Sequence, residues 1–344
     1  MSSKVVIVDT FAGDMGLEER ALAQVQASVA MLSHCADEQE MMSQLVDADA
    51  LIVDLGTVTR AMLDVARRCK VVVELGVGVD NIDVGTATEK GIYVANVPDY
   101  CVEEVADHTV AMALALVRNL VILDRRVRQG NWSAQNLGPV YRISRQTYGL
   151  LGLGRIAKCV ARKTRALGFD VIAADPFAHP DDAASSGVKL VSLDSLMEES
   201  DVLSLHVPLN SETYHLFDTR AFRRMRQNAY LVNVSRGGIV ETDGLVAALR
   251  AGTIAGAGLD VFEDEPLNPS HPLCQFDNVI LSPHMAYYSE SSKTELRERA
   301  VREVVRVLSG LEPSSCVNCE GVNKVRNRSL RSEDERDSDE IRRI

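Results

Sequence analysis

The sequence predicts an α/β protein with two parallel sheets, and three observations lead to this fold class. Ten short runs rich in β-branched residues are apolar almost throughout, as are strands that a parallel sheet buries on both faces. The segments between these runs are long enough for crossover helices, which favours α/β over α+β. Four runs precede Pro98 and six follow Tyr148, and a length of 344 residues suits two domains, so we expect one sheet in each half.

The predicted elements follow one another along the chain in a simple order. The first strands read KVVIVD, ALIVD, KVVVEL and IYVANV. One long helix is expected over residues 102–129, because apolar residues recur there at helical spacing and Gly130 ends the pattern. Residues 131–147 are expected to form an irregular loop. The second group of strands reads TYGLLGLG, DVIAAD, DVLSLHV, AYLVNVS, AGAGLDV and NVILS. Residues 322–344 are rich in both charge signs, which predicts a disordered tail or, alternatively, a helical interaction arm.

Composition narrows the classes of function. The net charge of −12 argues against binding to nucleic acid through its phosphates. The start of the chain shows no signal-peptide pattern, and the most apolar helical stretch, residues 109–117, falls short of the about 20 residues of a membrane span. We therefore expect a cytoplasmic protein without a membrane partner.

The seven cysteines are odd in number and scattered, which favours reduced thiols. Cys316 and Cys319 form a C-x-x-C pair. A zinc site would need a second pair of ligands nearby, which the sequence does not show, so we expect no metal.

A glycine-rich turn after the strand at 149–153 carries the first functional signal. The pattern Gly152-x-Gly154-x-x-Ala157 opens a helix, and a second strand ends at Asp175, 21 positions after Gly154. Such a turn brings backbone N–H groups and a helix N-terminus to a pyrophosphate, and the acidic residue accepts hydrogen bonds from a ribose. A glycine turn needed only for packing would leave Asp175 unexplained. Because Asp175 would repel a 2′-phosphate, we expect NAD as the cofactor, bound also by Arg155 and Ile156.

Three charged residues follow strands of the same half. Arg236 comes after LVNVS, Glu265 after AGAGLDV and His284 after NVILS. Taken singly, they could be a surface charge, a loop carboxylate and a core histidine. Together they predict hydride transfer to a keto acid, because ligands bind at the carboxyl ends of parallel strands. Arg236 would pair with a carboxylate, His284 would act as the general acid and base, and Glu265 would orient the imidazole and favour its charged form.

With these residues the chain resembles the D-isomer-specific 2-hydroxyacid dehydrogenases. The resemblance extends from the first strand to about Val317 and is strongest at GVGVDNID, GLLGLGRIA, DVLSLHVPLNSETYHL, the segment 229–267 and PHMAYYS. It implies two Rossmann-like doubly wound domains, with the cofactor domain inserted in the substrate domain. Residues 1–98 and 286–321 would form the substrate (flavodoxin-like) domain and residues 99–285 the NAD-binding domain. The resemblance also implies a homodimer, served by the helix that carries VADHTVAMALALVRN.

The resemblance assigns further roles. The backbone of Val77 and Gly78 would hold the substrate carboxylate, and Asp260 would contact the nicotinamide amide. Other residues would line the cofactor: Val207, Pro208, Thr213 and Val234. PHMAYYSESS also resembles the carboxyl-terminal-binding-protein corepressors, in which a tryptophan stands at the position of Tyr287. Tyr287 is thus either a wall of the substrate site or a packing residue at the domain hinge.

Two departures from phosphoglycerate dehydrogenases bear on the substrate. Those proteins carry Arg-Ser and Arg where this chain has Asp54-Leu55 and Glu74. Acidic groups would repel a phosphate, so a phosphorylated substrate is disfavoured and glyoxylate or hydroxypyruvate is favoured. Glu74 could instead face solvent, and a cationic substrate is a further alternative.

The expected function is NAD-dependent interconversion of a small 2-keto acid and its D-2-hydroxy acid. The alternative is an NADH-sensing binding protein or corepressor-like scaffold, because such proteins keep the same arginine, glutamate and histidine. A methyltransferase would also have a glycine loop but does not need these three residues.

Overall fold

The computed structural model describes residues 2–8, 14–32, 38–54, 56–133, 135 and 137–326. The chain forms two compact units, one of Met1–Tyr100 with Glu290–Ile344 and one of Cys101–Ser289. Each unit contains one sheet, and all strand pairs in both sheets are parallel. The predicted α/β class with two parallel sheets is confirmed.

The first unit is built around a sheet of order β2-β1-β3-β4-β5. Its strands and helices alternate as β1 (Ser3–Val8), α1 (Gly16–Leu22), β2 (Ala27–Leu32), α2 (Glu38–Leu45), β3 (Ala50–Val53), α3 (Arg60–Val65), β4 (Val71–Glu74), α4 (Val84–Glu89) and β5 (Tyr93–Ala95). Every residue of β3 and β4 is buried, as expected of central strands covered on both faces. The side chains of Thr59 and Asp83 cap α3 and α4 by accepting hydrogen bonds from backbone N–H groups.

The second unit contains a sheet of order β12-β11-β10-β9-β6-β7-β8. Its elements are α5 (Val102–Val117), α6 (Leu120–Arg128), β6 (Thr147–Leu151), α7 (Arg155–Ala166), β7 (Asp170–Ala174), α8 (Pro180–Ser185), β8 (Lys189–Leu190), α9 (Leu193–Glu199), β9 (Val202–Leu205), α10 (Thr219–Arg224), β10 (Tyr230–Asn233), α11 (Thr242–Ala251), β11 (Gly256–Leu259) and β12 (Val279–Leu281). The strand order reverses between β6 and β9, which is where open α/β sheets bind their ligands.

The predicted single helix over residues 102–129 is wrong. Asn119 adopts a left-handed backbone with φ of 52°, and it separates α5 from α6, which are bent by 61° at this point. Within the described residues no helix alone has the length and apolarity to cross a membrane, although α5 and α6 taken as one bent pair meet that criterion.

After the second unit the chain returns to the first through the long helix α12 (Glu290–Leu308). The Arg297 guanidinium of α12 donates from Nε to Oε1 of Glu18 in α1 at 2.7 Å, and Glu18 is buried. A last helix follows at residues 319–326. Its residues 322–326 were predicted to belong to the charged tail, but Val322 is fully buried and Arg326 donates to the Gly91 carbonyl, so this segment is packed. The remainder of the predicted tail, residues 327–344, lies outside the described residues.

The cysteines differ from the expectation of reduced thiols at one pair. Cys316 and Cys319 are joined in a disulfide, and their Cα atoms lie 5.7 Å apart, a separation that a disulfide spans readily. Four cysteines of the described chain are not part of a disulfide: Cys69, Cys101, Cys159 and Cys274. Within the described residues, no group of three or more histidine, cysteine, aspartate or glutamate side chains is placed to hold a metal ion.

Candidate active site

The glycine turn lies at the carboxyl end of β6, at the reversal of the strand order. Gly152 has φ of +86°, and a Cβ atom there would lie 2.7 Å from the carbonyl oxygen of His206, so only glycine fits. Gly154 is the N-cap residue of α7, and a Cβ atom on it would meet nothing within 4 Å. The space in front of the α7 N-terminus is therefore open. Arg155 and Ile156 begin this helix, and its first turn carries no acidic side chain, so the arrangement suits an anionic pyrophosphate.

Asp175 follows β7, and its carboxylate accepts a hydrogen bond from the glycine turn. Its Oδ2 atom accepts a hydrogen bond from the N–H of Leu153 at 2.7 Å, and its Oδ1 atom accepts one from the N–H of Phe177 at 2.8 Å. A carboxylate oxygen has two lone pairs, so each oxygen keeps acceptor capacity. Asp175 is only partly buried, so its carboxylate is accessible to a ligand at the carboxyl end of β7.

The loops after β9 and β10 lie beside the glycine turn. A Cβ atom on Gly152 would lie 3.0 Å from Cγ1 of Val207. The carbonyl of Val207 accepts a hydrogen bond from the Ser235 hydroxyl at 2.9 Å, and Ser235 follows Val234 directly. The Thr213 hydroxyl donates to the carbonyl of Pro208 at 2.6 Å and so closes the loop after β9. The four residues predicted to line the cofactor are therefore at the carboxyl ends of two neighbouring strands, β9 and β10: Val207, Pro208, Thr213 and Val234.

His284 and Glu265 form a direct pair. The Nδ1 atom of His284 lies 2.8 Å from Oε2 of Glu265, and Oε1 of Glu265 accepts a hydrogen bond from the N–H of Phe262 at 2.8 Å. Burial raises the pKa of Glu265, but the hydrogen bond and charge of His284, the Phe262 N–H and the charge of Arg236 outweigh it, so the pKa lies below its ordinary value. Glu265 is thus a carboxylate at neutral pH, and Nε2 of His284 remains for a ligand.

Arg236 lies at the same sheet edge. It follows β10, and its Nη1 atom donates to the carbonyl of Ser235 at 3.0 Å. The buried Asn233 amide donates to the backbone carbonyl of Arg236 at 2.9 Å. A Cβ atom on Gly237 would overlap the backbone of Phe262, so this glycine allows the arginine loop to pack against the loop that leads to Glu265. The three predicted catalytic residues are thus brought to neighbouring loops of one unit.

Asp260 positions the backbone that carries His284. It is fully buried, and its side chain accepts hydrogen bonds from the N–H groups of Met285 at 2.9 Å and Ala286 at 2.8 Å. Its carbonyl accepts from the N–H of His284 at 2.7 Å, and His284 has a left-handed φ of 55°. Such a backbone persists only where its surroundings hold it. The resemblance implies a contact between Asp260 and the nicotinamide, which stays a prediction; the structure shows that this side chain fixes the histidine loop.

Two polar contacts near these residues were not predicted. His108 of α5 places Nε2 at 2.9 Å from the Ser282 hydroxyl, which donates to Asp260. The signal was a histidine directly before the apolar stretch of this helix, residues 109–117. His215 places Nε2 at 2.5 Å from Oε1 of Glu263, whose other oxygen accepts from the N–H of Thr242. This pair joins the loop after β9 to the loop that precedes Glu265.

Tyr287 is half-buried three residues after His284, and its ring meets Tyr288 edge-on with 6.4 Å between ring centroids. Both readings of Tyr287, a substrate wall or a packing residue, stay open.

Val77 and Gly78 belong to the first unit, in the loop after β4. The Val77 carbonyl accepts a hydrogen bond from Nδ2 of Asn96 at 2.6 Å, and the Gly76 carbonyl accepts one from the N–H of Val97 at 2.8 Å. Across the described part of the chain, neither the N–H of Val77 nor that of Gly78 has a hydrogen-bond partner. Both N–H groups are therefore free to donate to a ligand, and their role in binding the substrate carboxylate stays a prediction.

Glu74 lies beneath this loop and does not face solvent. It is 6% exposed, its Oε2 atom accepts a hydrogen bond from Nδ2 of Asn81 at 3.0 Å, and its Oε1 atom would lie 3.3 Å from a Cβ atom on Gly76. The solvent-facing alternative is therefore wrong. Asp54 is half-buried after β3, and Leu55 lies outside the described residues.

Comparison with known proteins agrees with this geometry. Residues 110–286 match the family model described as D-isomer specific 2-hydroxyacid dehydrogenase, NAD binding domain. A glyoxylate reductase of Thermofilum pendens is 37% identical over 319 residues, covering 88% of this chain and 94% of that protein. A D-3-phosphoglycerate dehydrogenase of Archaeoglobus fulgidus is 36% identical over 281 residues, covering 81% of this chain and 53% of that protein. The crystal structure of D-lactate dehydrogenase from Aquifex aeolicus, complexed with NAD and lactic acid, shares 31% identity and a TM-score of 0.82 over 93% of this chain and 98% of that one.

Proposed function

Given that this chain belongs to the D-isomer-specific 2-hydroxyacid dehydrogenases, which are NAD-dependent, we propose that it reduces a small, unphosphorylated 2-keto acid such as glyoxylate or hydroxypyruvate to the D-2-hydroxy acid. The observation that carries this proposal is the 2.8 Å contact between His284 and Glu265, with Arg236 on a neighbouring loop. These are the proton donor, its orienting carboxylate and a carboxylate-binding cation that the reaction needs.

The chain's own residues would divide the work as follows. NADH, when bound at the glycine turn, supplies the hydride. Nδ1 of His284 is engaged by Glu265, so Nε2 presents the proton to the substrate oxygen and takes it back in the reverse reaction. The negative charge of Glu265 stabilises the imidazolium from which the proton leaves. The Arg236 guanidinium pairs with the substrate carboxylate and polarises the adjacent carbonyl.

Other residues support binding. The N–H groups of Val77 and Gly78 would bind the substrate carboxylate. The glycine turn and Asp175 would bind the pyrophosphate and the ribose of NAD, while Asp260 would add a contact to the nicotinamide. Tyr287 would form a wall of the substrate site.

The preference for an unphosphorylated substrate rests on Glu74 and Asp54. Glu74 brings a carboxylate to within van der Waals reach of Gly76, next to the N–H groups proposed for the substrate. A phosphate dianion near this carboxylate would be repelled, and we propose that phosphohydroxypyruvate is therefore a poor substrate. The glyoxylate reductase relative supports this assignment, whereas the D-3-phosphoglycerate dehydrogenase relative makes a direct test necessary.

The test is NADH oxidation by the purified protein with glyoxylate, hydroxypyruvate, pyruvate, branched 2-keto acids and phosphohydroxypyruvate. Fast turnover of glyoxylate or hydroxypyruvate with slow turnover of phosphohydroxypyruvate is expected. Efficient use of phosphohydroxypyruvate at micromolar concentration would contradict the role given to Glu74. Tight NADH binding with no turnover of any 2-keto acid would favour the alternative of an NADH-sensing scaffold.

We also propose a homodimer. Three large apolar side chains are at least half exposed on α6 and just after it: Leu120 at 54%, Val127 at 51% and Trp132 at 89%. Exposed apolar side chains grouped in this way are typical of a protein interface. Sedimentation equilibrium of the protein and of its Leu120→Glu variant tests this, because the charge should dissociate the dimer. The cytoplasmic location and the absence of nucleic-acid and membrane partners stay predictions.

A further inference from the structure

We propose that Cys316 and Cys319 are a reversible redox site that sets the substrate affinity of residues 75–80, here called the substrate loop. This inference rests on the proposed function, because it assigns regulation to the N–H groups of Val77 and Gly78. Both cysteines are only partly buried, so a dithiol can reach them. Cys319 is the first residue of the helix at residues 319–326, and Cys316 lies three residues before it.

The cysteine pair encloses the residues that cover the edge of the first sheet. β5 is the last strand of that sheet, and Cys316 forms an antiparallel bridge with Ala95. The N–H of Val317 donates to the carbonyl of Val94 at 2.8 Å, and the N–H of Val94 donates to Oδ1 of Asn318 at 2.8 Å. The disulfide thus closes a four-residue loop whose two inner residues both pair with β5.

Asn318 shows why the geometry of this loop matters. Its side chain is nearly buried, and Nδ2 donates both to the Thr88 hydroxyl at 2.8 Å and to the carbonyl of Ile92 at 3.0 Å. A buried amide that loses its hydrogen-bond partners destabilises the folded protein. The crosslink therefore holds the Asn318 side chain at the position where both of its hydrogen bonds can form.

One side chain, Asn96, connects this segment to the substrate loop. The N–H of Asn96 donates to the carbonyl of Ser315 at 3.2 Å, and the Ser315 hydroxyl donates to Oδ1 of Asn96 at 3.2 Å. Because Oδ1 is engaged by Ser315, the amide nitrogen points the other way and donates to the Val77 carbonyl at 2.6 Å. Ser315 directly precedes Cys316, so a shift of the disulfide segment is transmitted to the peptide unit that follows Val77, which carries the N–H of Gly78.

The redox step is a thiol–disulfide exchange with a dithiol. A thiolate of the dithiol attacks one sulfur of the pair, the Cys316–Cys319 bond breaks, and the second thiol of the dithiol releases the mixed disulfide. The protein gains two electrons and two protons as two cysteine thiols, and the dithiol becomes a disulfide. Without the crosslink, Ser315 holds the Asn96 side chain less firmly, and the hydrogen bond from Asn96 to the Val77 carbonyl is weakened. Loss of one such hydrogen bond corresponds to about a fivefold change in a binding constant.

The experiment compares the full-length protein after incubation in reduced and in oxidised dithiothreitol. Alkylation and mass spectrometry establish the state of the pair, and initial rates with saturating NADH and varied glyoxylate yield KM and kcat. Reduction should raise the KM for glyoxylate about fivefold and change kcat less than twofold, because the loop contributes to binding alone. An equal KM in the two states, or a pair that oxidised dithiothreitol leaves as thiols, overturns the proposal.

Three variants separate this mechanism from other thiol effects. The double variant Cys316→Ser, Cys319→Ser should have the high KM in both buffers. Asn96→Leu should also have a high KM that no longer depends on redox state, because leucine cannot donate to the Val77 carbonyl. The matched control is Cys274→Ser, which removes an exposed free thiol elsewhere and should keep the full response. A response that disappears in Cys274→Ser would overturn the assignment.

Hydrogen exchange distinguishes failure of this proposal from failure of the proposed function. If no 2-keto acid is turned over, the proposed function fails, and amide exchange at Asn96 and Val97, whose N–H groups donate to the carbonyls of Ser315 and Gly76, decides the coupling by itself. Faster exchange in the reduced protein supports the coupling, whereas identical exchange in the two states refutes it.

Discussion

Replacing Glu265 by glutamine should move the alkaline limb of the pH–rate profile for keto-acid reduction to lower pH by about one unit. Glutamine keeps the size of the side chain and can still accept a hydrogen bond from Nδ1 of His284, but it removes the negative charge. The variant therefore loses the stabilisation of the imidazolium, and the acid form of the enzyme is depleted at a lower pH.

The magnitude follows from the geometry of the pair. Two unit charges at the 2.8 Å contact would interact by about 6 kcal/mol at an effective dielectric constant of about 20. The two side chains are 40% and 35% exposed, so solvent screens much of this interaction. A value of about 1.5 kcal/mol, typical of a hydrogen bond to a charged group, is the better measure and corresponds to about one pH unit.

The assay is kcat/KM for glyoxylate reduction from pH 5.5 to 9.5, for the unmodified protein and for Glu265→Gln. At pH 8 the variant should be about tenfold slower, and the difference should shrink towards pH 6. Glu263→Gln is a matched control, because Glu263 lies two residues away and pairs with His215 instead. Unchanged alkaline limbs in both variants, or an equal shift in both, would refute the role given to Glu265.

Four further substitutions test the remaining parts of the site. His284→Asn should slow reduction by roughly 10²-fold or more while NADH binding, followed by fluorescence, persists; unimpaired turnover would remove the histidine from the mechanism. Arg236→Lys should raise the KM for the keto acid sharply, since an ammonium cannot form the bidentate pair, and a constant KM would contradict that pairing. Asp175→Ala should reduce the ratio of activity with NADH to activity with NADPH; an unaltered ratio would show that Asp175 does not contact the ribose. Gly152→Ala should abolish NADH binding with the circular dichroism spectrum retained, because the new Cβ would lie 2.7 Å from the His206 carbonyl oxygen; normal binding would show that the turn adapts.

Strands were predictable where burial was complete. β3, β4 and β9 are buried at every residue; β3 is apolar throughout, and β4 and β9 each contain one polar residue, Glu74 and Ser204. β2 was missed because it is an edge strand whose six residues are mostly partly exposed, so its sequence ASVAML shows no clear period. β8 was missed because it has only two residues, and its pairing with β7 depends on a neighbour that is distant in sequence.

The break between α5 and α6 shows a second limit of the sequence. Apolar residues continue at helical spacing across Asn119, so the pattern predicts one helix, yet Asn119 adopts the left-handed backbone that asparagine tolerates better than most residues. Local spacing reports which faces are apolar. It does not report where the chain bends to pack those faces.

The sequence by itself determined the alternation of strands and helices, the glycine turn with Asp175, and the placement of Arg236, Glu265 and His284 after buried strands. These features are local, since each depends on residue types at short spacing and on the rule that parallel strands end at one edge. The tertiary structure alone decided the pairings: His215 with Glu263, Asp260 with the backbone beyond His284, and Asn96 between Ser315 and Val77. These contacts join residues separated by 19 to 219 positions, and no local pattern encodes which distant side chain will complete a hydrogen bond.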